Sequence, residues 1–122
     1  MLKDTLYKIL LSDHGDGIIT ATLELDIDNV IFAGHFPAQP VLPGACMLQM
    51  VKDVLESTLD KSLMLKQARQ IKFLELIDPR INSILELTIN YMNADDNTIN
   101  VSATLNAKTA ICFKFTGNFI RT

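Results

Sequence analysis

Cysteine is scarce in this sequence, positive charge is not in excess, and no apolar run is long. The two cysteines, Cys46 and Cys112, are too few for a disulfide framework and are not spaced as metal ligands. A reduced, cytoplasmic setting is therefore expected. Lysine and arginine number 11 against 14 aspartates and glutamates, giving a net charge of −3 and a pI near 5.2. That balance leaves no electrostatic footprint for nucleic acid or an anionic membrane surface, although a local basic patch is compatible with an acidic partner. No stretch approaches the ~20 consecutive apolar residues of a membrane helix. Met1 to Leu11 carries charge throughout and ends in a short apolar tail, too short and too polar for a signal peptide. There is no internal repeat, no low-complexity segment, and no metal, nucleotide or flavin motif. No metal and no cofactor are expected.

What is present is a globular balance. Of 122 residues, 48% are apolar and 20% charged. The length suits one domain over residues 1–122 rather than two. Roughly two-thirds of the unfolded surface of such a chain is buried on folding, enough for one core.

The hydrophobic period changes along the chain. Ile19, Ala21, Leu23 and Leu25 alternate with Thr20, Thr22, Glu24 and Asp26, the pattern of a half-buried strand. Leu6 to Leu11 suggests a preceding strand, set off by the turn-like run Ser12 to Gly17. Asn29 to Pro43 is irregular and holds three of the four prolines, Pro37, Pro40 and Pro43. Proline fixes its own φ and restricts its neighbour, so this arm is expected to be stiff and extended. Pro43 also suits a first helical turn.

Residues 45–51 are apolar nearly all round, and Val54, Leu55 and Leu59 continue one face. That is the composition of a buried helix, which a domain this small can enclose only by wrapping a sheet around it. The sheet follows. Strands are predicted over Gln70 to Ile77, Leu85 to Tyr91, Ile99 to Leu105 and Ile111 to Phe115. Turns are expected at 93–97 and at Asn106-Ala107-Lys108. The last three strands form a meander, and the whole is an α+β domain.

The arm reads Gly34-His35-Phe36-Pro37-Ala38-Gln39-Pro40-Val41-Leu42-Pro43-Gly44. It resembles the signature G-H-F-P-x-x-P-x-x-P-G of the β-hydroxyacyl-ACP dehydratases, and all seven specified positions match. Ala68 to Phe73, followed by Asp78-Pro79, resembles the next strand and turn of that family. The resemblance covers roughly residues 18–119, but only the arm is highly specific.

The resemblance implies a hotdog fold, a long antiparallel sheet wrapped around one central helix. It also implies dehydration of a 3-hydroxyacyl thioester, on acyl carrier protein, to a trans-2-enoyl thioester, as in fatty-acid biosynthesis. In that reading His35 takes the C2 proton, which suits an imidazole whose pKa lies near neutrality. The backbone carbonyl of Val41 holds its tautomer. The N–H of Gly44, at the positive end of the helix, polarises the thioester carbonyl. Glycine there lets the substrate approach the backbone. Phe36 and Pro43, fixed positions of the same motif, join the substrate contacts.

One position departs from the family. Its catalytic carboxylic acid lies fourteen residues after the histidine, and here that residue is Gln49. An amide can hydrogen-bond a hydroxyl or position a water but has no acidic proton, a loss of about 10²–10⁴-fold if nothing replaces it. Three readings stay open. The chain is a weak or altered dehydratase; a dehydratase-like partner chain supplies the acid; or the protein binds acyl chains or does other chemistry, such as thioester hydrolysis. Asp53, one turn on and on the same face, is a further candidate acid. A lone amide among Cys46, Met47, Leu48, Met50 and Val51 is costly unless paired, so Gln49 is expected to face a cavity.

Cys46 is read as buried filler and His14 as a solvated turn residue. Met47, Met50 and Met64 fit either the core or an acyl tunnel. A sheet edge and a half-built site in a lone copy point to a homodimer or higher oligomer.

Overall fold

The computed structural model describes the backbone of residues 3–34 and 40–122, and the side chains of these apart from 33 and 34. Six strands and two helices follow in order: β1 (Tyr7–Gly15), β2 (Ile18–Leu25), α1 (Val30–Gly34), α2 (Gly44–Leu59), β3 (Leu63–Phe73), β4 (Ile84–Asn93), β5 (Thr98–Ala107) and β6 (Ala110–Arg121). The strands form one antiparallel sheet in the order β1-β2-β4-β5-β6-β3. The chain therefore places β3 on the far edge before returning to build the meander β4-β5-β6.

Alternation in the sequence becomes burial in the fold. Ile19, Leu23, Leu85, Leu87, Ile89 and Ile99 are all inaccessible or nearly so, on the concave side of the sheet. Each such side chain contributes about 1.5–3 kcal/mol by leaving water. α2 lies across this face against β2, β3 and β4, and buries Cys46, Met47, Met50, Val51, Asp53, Val54 and Leu55. It ends at Asp60, which adopts a left-handed backbone with φ 52°, a conformation aspartate tolerates better than most residues. A sheet curved around one long helix is the hotdog architecture, as the resemblance implied.

The structure corrects several element boundaries. β1 runs on to Gly15, so the predicted turn at 12–17 shrinks to Asp16 and Gly17, both with positive φ. The irregular arm contains the one-turn helix α1, begun by Asn29, whose Oδ1 accepts from the Ile31 N–H at 2.9 Å.

β3 starts seven residues before the predicted Gln70 and stops at Phe73 rather than Ile77. Its register against β6 slips between Leu65 and Gln67 and again between Ala68 and Gln70. Each slip is a bulge that inserts one residue, so Leu63, Leu65, Ala68, Ile71 and Phe73 share a face without a period of two. A further slip pairs Leu105 with Phe113 but Asn106 with Ile111. This turns Cys112 inward and leaves Ile111 exposed, against the predicted alternation.

Candidate active site

Of the residues named from the sequence, His35 and Phe36 lie outside the described residues. The structure does describe the ground on which they would act. Pro43 is the residue just before the helix rather than its first turn, with φ −63° and ψ 145°. Its carbonyl accepts from the N–H of Cys46 at 3.0 Å and of Met47 at 3.4 Å. The N–H groups of Gly44 and Ala45 have no backbone acceptor among the described residues, the usual condition of a helix's opening positions. The end of the arm is pinned. Leu42 is 2% exposed and its N–H donates to the carbonyl of Ile77 at 2.8 Å. Pro40 is buried and Val41 half-buried beside it.

Gly44 lies directly under the Phe73 ring. A Cβ there would stand 2.6 Å from Cε1 of Phe73. That ring also contacts Phe113 at a centroid distance of 5.5 Å. The tip of α2 is thus roofed by a side chain of the edge strand β3.

Gln49 is half-buried on α2, and its amide has a partner within the helix. Its Nε2 donates to Oδ1 of Asp53, one turn on, at 2.8 Å. Asp53 is wholly inaccessible, and its other oxygen accepts from the Tyr7 hydroxyl at 3.2 Å. The amide is therefore paired inside the protein at its nitrogen end. Asp53 touches Gln49 and is itself fully buried. Burial first, and the Asp53 carboxylate second, push the Tyr7 phenol well above its ordinary range. Tyr7 was missed from the sequence because it stands 46 residues from its partner. Tyr7 is the one buried residue of β1, a strand otherwise largely exposed.

The minor expectations resolve in several directions. Burial raises the Cys46 thiol, which keeps it protonated and inert, in line with its reading as filler. Met47 and Met50 are core residues, whereas Met64 is 51% exposed and cannot line a tunnel with them in this chain. His14 lies in β1 rather than in a turn, and its ring nitrogen shares a short hydrogen bond with the Tyr91 hydroxyl. Among the described residues no cluster of metal-ligating side chains occurs, and no helix is long and apolar enough to cross a membrane.

Known proteins place this arrangement. The family model of the ApeI-like proteins, described as ApeI dehydratase, matches residues 12–115. The chain belongs to the ApeI-like dehydratase family. It thereby falls among the β-hydroxyacyl-ACP dehydratase-like proteins that the arm motif resembles. Relatives of this ApeI-like chain include the 3-hydroxyacyl-[acyl-carrier-protein] dehydratase FabZ of Rickettsia felis, 28% identical over 95% of this chain and 83% of that protein. The corresponding enzyme of Rickettsia massiliae is 27% identical over 80% of this chain and 73% of its own length. Among solved structures, the dehydratase heterocomplex ApeI:P from Xenorhabdus doucetiae superposes with a TM-score of 0.73 at 21% identity, covering 93% of this chain and 96% of that one. A hypothetical thioesterase with coenzyme A from Streptococcus pneumoniae has the same fold, with a TM-score of 0.68 at 14% identity over 95% and 85% of the two chains.

Proposed function

We propose that this ApeI-like chain, acting as one domain, dehydrates a 3-hydroxyacyl thioester carried on acyl carrier protein. The observation that carries the reading is the complete arm motif, ending on the glycine that opens a buried helix. His35 removes the C2 proton, and the N–H of Gly44 holds the thioester oxygen as it gains charge. Val41, Phe36 and Pro43 shape the approach. The departing hydroxyl needs a proton, and Gln49 has none of suitable acidity. The imidazolium formed on His35 is then the proton source within this chain. The C2–H electrons form the new double bond, the C3–O bond breaks, and water leaves.

A second reading has a specific observation behind it. The inner side of β3 beyond Leu65 is uncovered: Ile71 is 40% and Phe73 58% exposed, although both stand opposite inward residues of β6. An apolar sheet edge of this kind suits pairing with another chain. The similar fold found in a dehydratase heterocomplex supports a dehydratase-like partner that contributes the acid. The alternative occupant is a second copy, giving a homodimer or higher oligomer. Thioester hydrolysis is less well supported, since position 49 offers no carboxylate to activate water. The assembly is read as cytoplasmic.

The test is turnover of 3-hydroxyacyl-ACP to enoyl-ACP by the purified chain, alone and mixed with a second dehydratase-like chain. His35→Ala is expected to abolish enoyl formation while thermal unfolding stays unchanged. Undiminished turnover in that variant excludes His35 as the base. Activity that appears only on mixing selects the partner reading.

A further inference from the structure

We infer that Asp53 is a positioning residue for Gln49: it holds the amide nitrogen, so that the amide oxygen is what Gln49 offers a ligand, and the site thereby favours acyl chains with a hydroxyl on C3. This deepens the acyl-thioester reading and rests on it.

Asp53 is wholly inaccessible, and its two oxygens accept from Gln49 Nε2 at 2.8 Å and Tyr7 Oη at 3.2 Å. A carboxylate oxygen accepts, so the amide must turn its nitrogen toward Asp53. The reverse orientation would set two acceptors against each other inside the protein, where unpaired polar atoms are expensive. An untethered glutamine could show a ligand either end of its amide. A tethered one keeps one N–H on Asp53 and has its oxygen fixed at the opposite end of the amide.

Tyr7 matters because it comes from the sheet. It fixes the carboxylate from β1 while Gln49 engages it along α2, so the amide orientation is set by the fold rather than by the helix alone. Gln49 is itself only half-buried, and it stands where the family places the group that meets the substrate hydroxyl. A hydroxyl can donate to the amide oxygen. An acyl chain lacking it sets methylene against that oxygen, and sites built to pair a hydroxyl reject its deoxy analogue for that reason.

The experiment uses two inert acyl-pantetheine thioethers of one chain length, one with a 3-hydroxyl and one without, titrated calorimetrically into the full chain. The wild type is expected to prefer the hydroxylated compound about tenfold, the value of one hydrogen bond. Asp53→Asn gives position 53 an amide that can present either end, which frees Gln49 to turn. The preference should fall to about twofold or less, with affinity for the deoxy compound unchanged. Gln49→Leu should remove the preference as well.

A buried aspartate is a risky place to substitute, so the wild-type chain supplies a second measurement. By NMR, the Gln49 side-chain amide proton donated to Asp53 should exchange with solvent at least about tenfold more slowly than that of a free glutamine, as protection by one hydrogen bond requires. Free-amide exchange overturns the inference. So does a tenfold preference that survives in a folded Asp53→Asn protein, or equal binding of the two compounds by the wild type. Binding of neither compound overturns the acyl-thioester reading itself.

Discussion

β4 and β3 carry similar complements of apolar residues and meet opposite fates. In β4, Leu85, Leu87 and Ile89 are sealed against α2. In β3, Ile71 and Phe73 also point to the concave side, opposite Phe115 and Phe113, yet stay open to solvent. β4 has neighbours on both sides and the helix across its face. β3 has β6 on one side and, among the described residues, no strand on the other. Alternation tells which residues share a face; whether that face is dry depends on what lies across it.

The contrast yields tests of decreasing size. Leu87→Ala in β4 should cost about 2–5 kcal/mol, since a sealed site leaves a cavity, measured by urea unfolding. If β3 matters within the single chain as β4 does, Ile71→Ala should cost as much. We expect no more than about 1 kcal/mol at low protein concentration, where any partner has dissociated.

Tyr7→Phe should cost about 1–3 kcal/mol, because it removes a donor from an inaccessible carboxylate. It also carries a pH signature. The folded phenol is held above its unfolded value of about 10, so its contribution is fully present below pH ~10 and is lost as pH rises beyond it. The wild type should lose stability in that alkaline range, and Tyr7→Phe should lose less. Equal slopes for the two proteins would show that the phenol is not enclosed.

Smallest in stability, and largest in assembly, is Phe73→Lys. It should leave the melting temperature of the lone chain nearly unchanged while shifting the mass measured by light scattering toward a single copy. An unaltered mass distribution would remove β3 from the interface.

Much of this was legible from residues alone. β2, α2 and the meander follow from clean periods, and Gly44 and Gln49 fall on the helix where the motif spacing puts them. β3 was cut short because two bulges erase its period of two, and no local pattern announces where a ladder will slip. α1 was hidden in a segment whose prolines and glycine speak for irregular chain. The cluster at Gln49 was half visible. Asp53 follows from helical spacing, but Tyr7 reaches it only through the closed sheet, a contact between distant parts of the sequence that periodicity does not encode.

The ring of Phe73 ties two jobs together. It sits on the open edge of the sheet and, at the same time, fills the space that any side chain at position 44 would need. A neighbour along that edge would meet the same ring that covers the start of α2. A chain pairing along that edge would therefore bear on the shape of the helix tip as well.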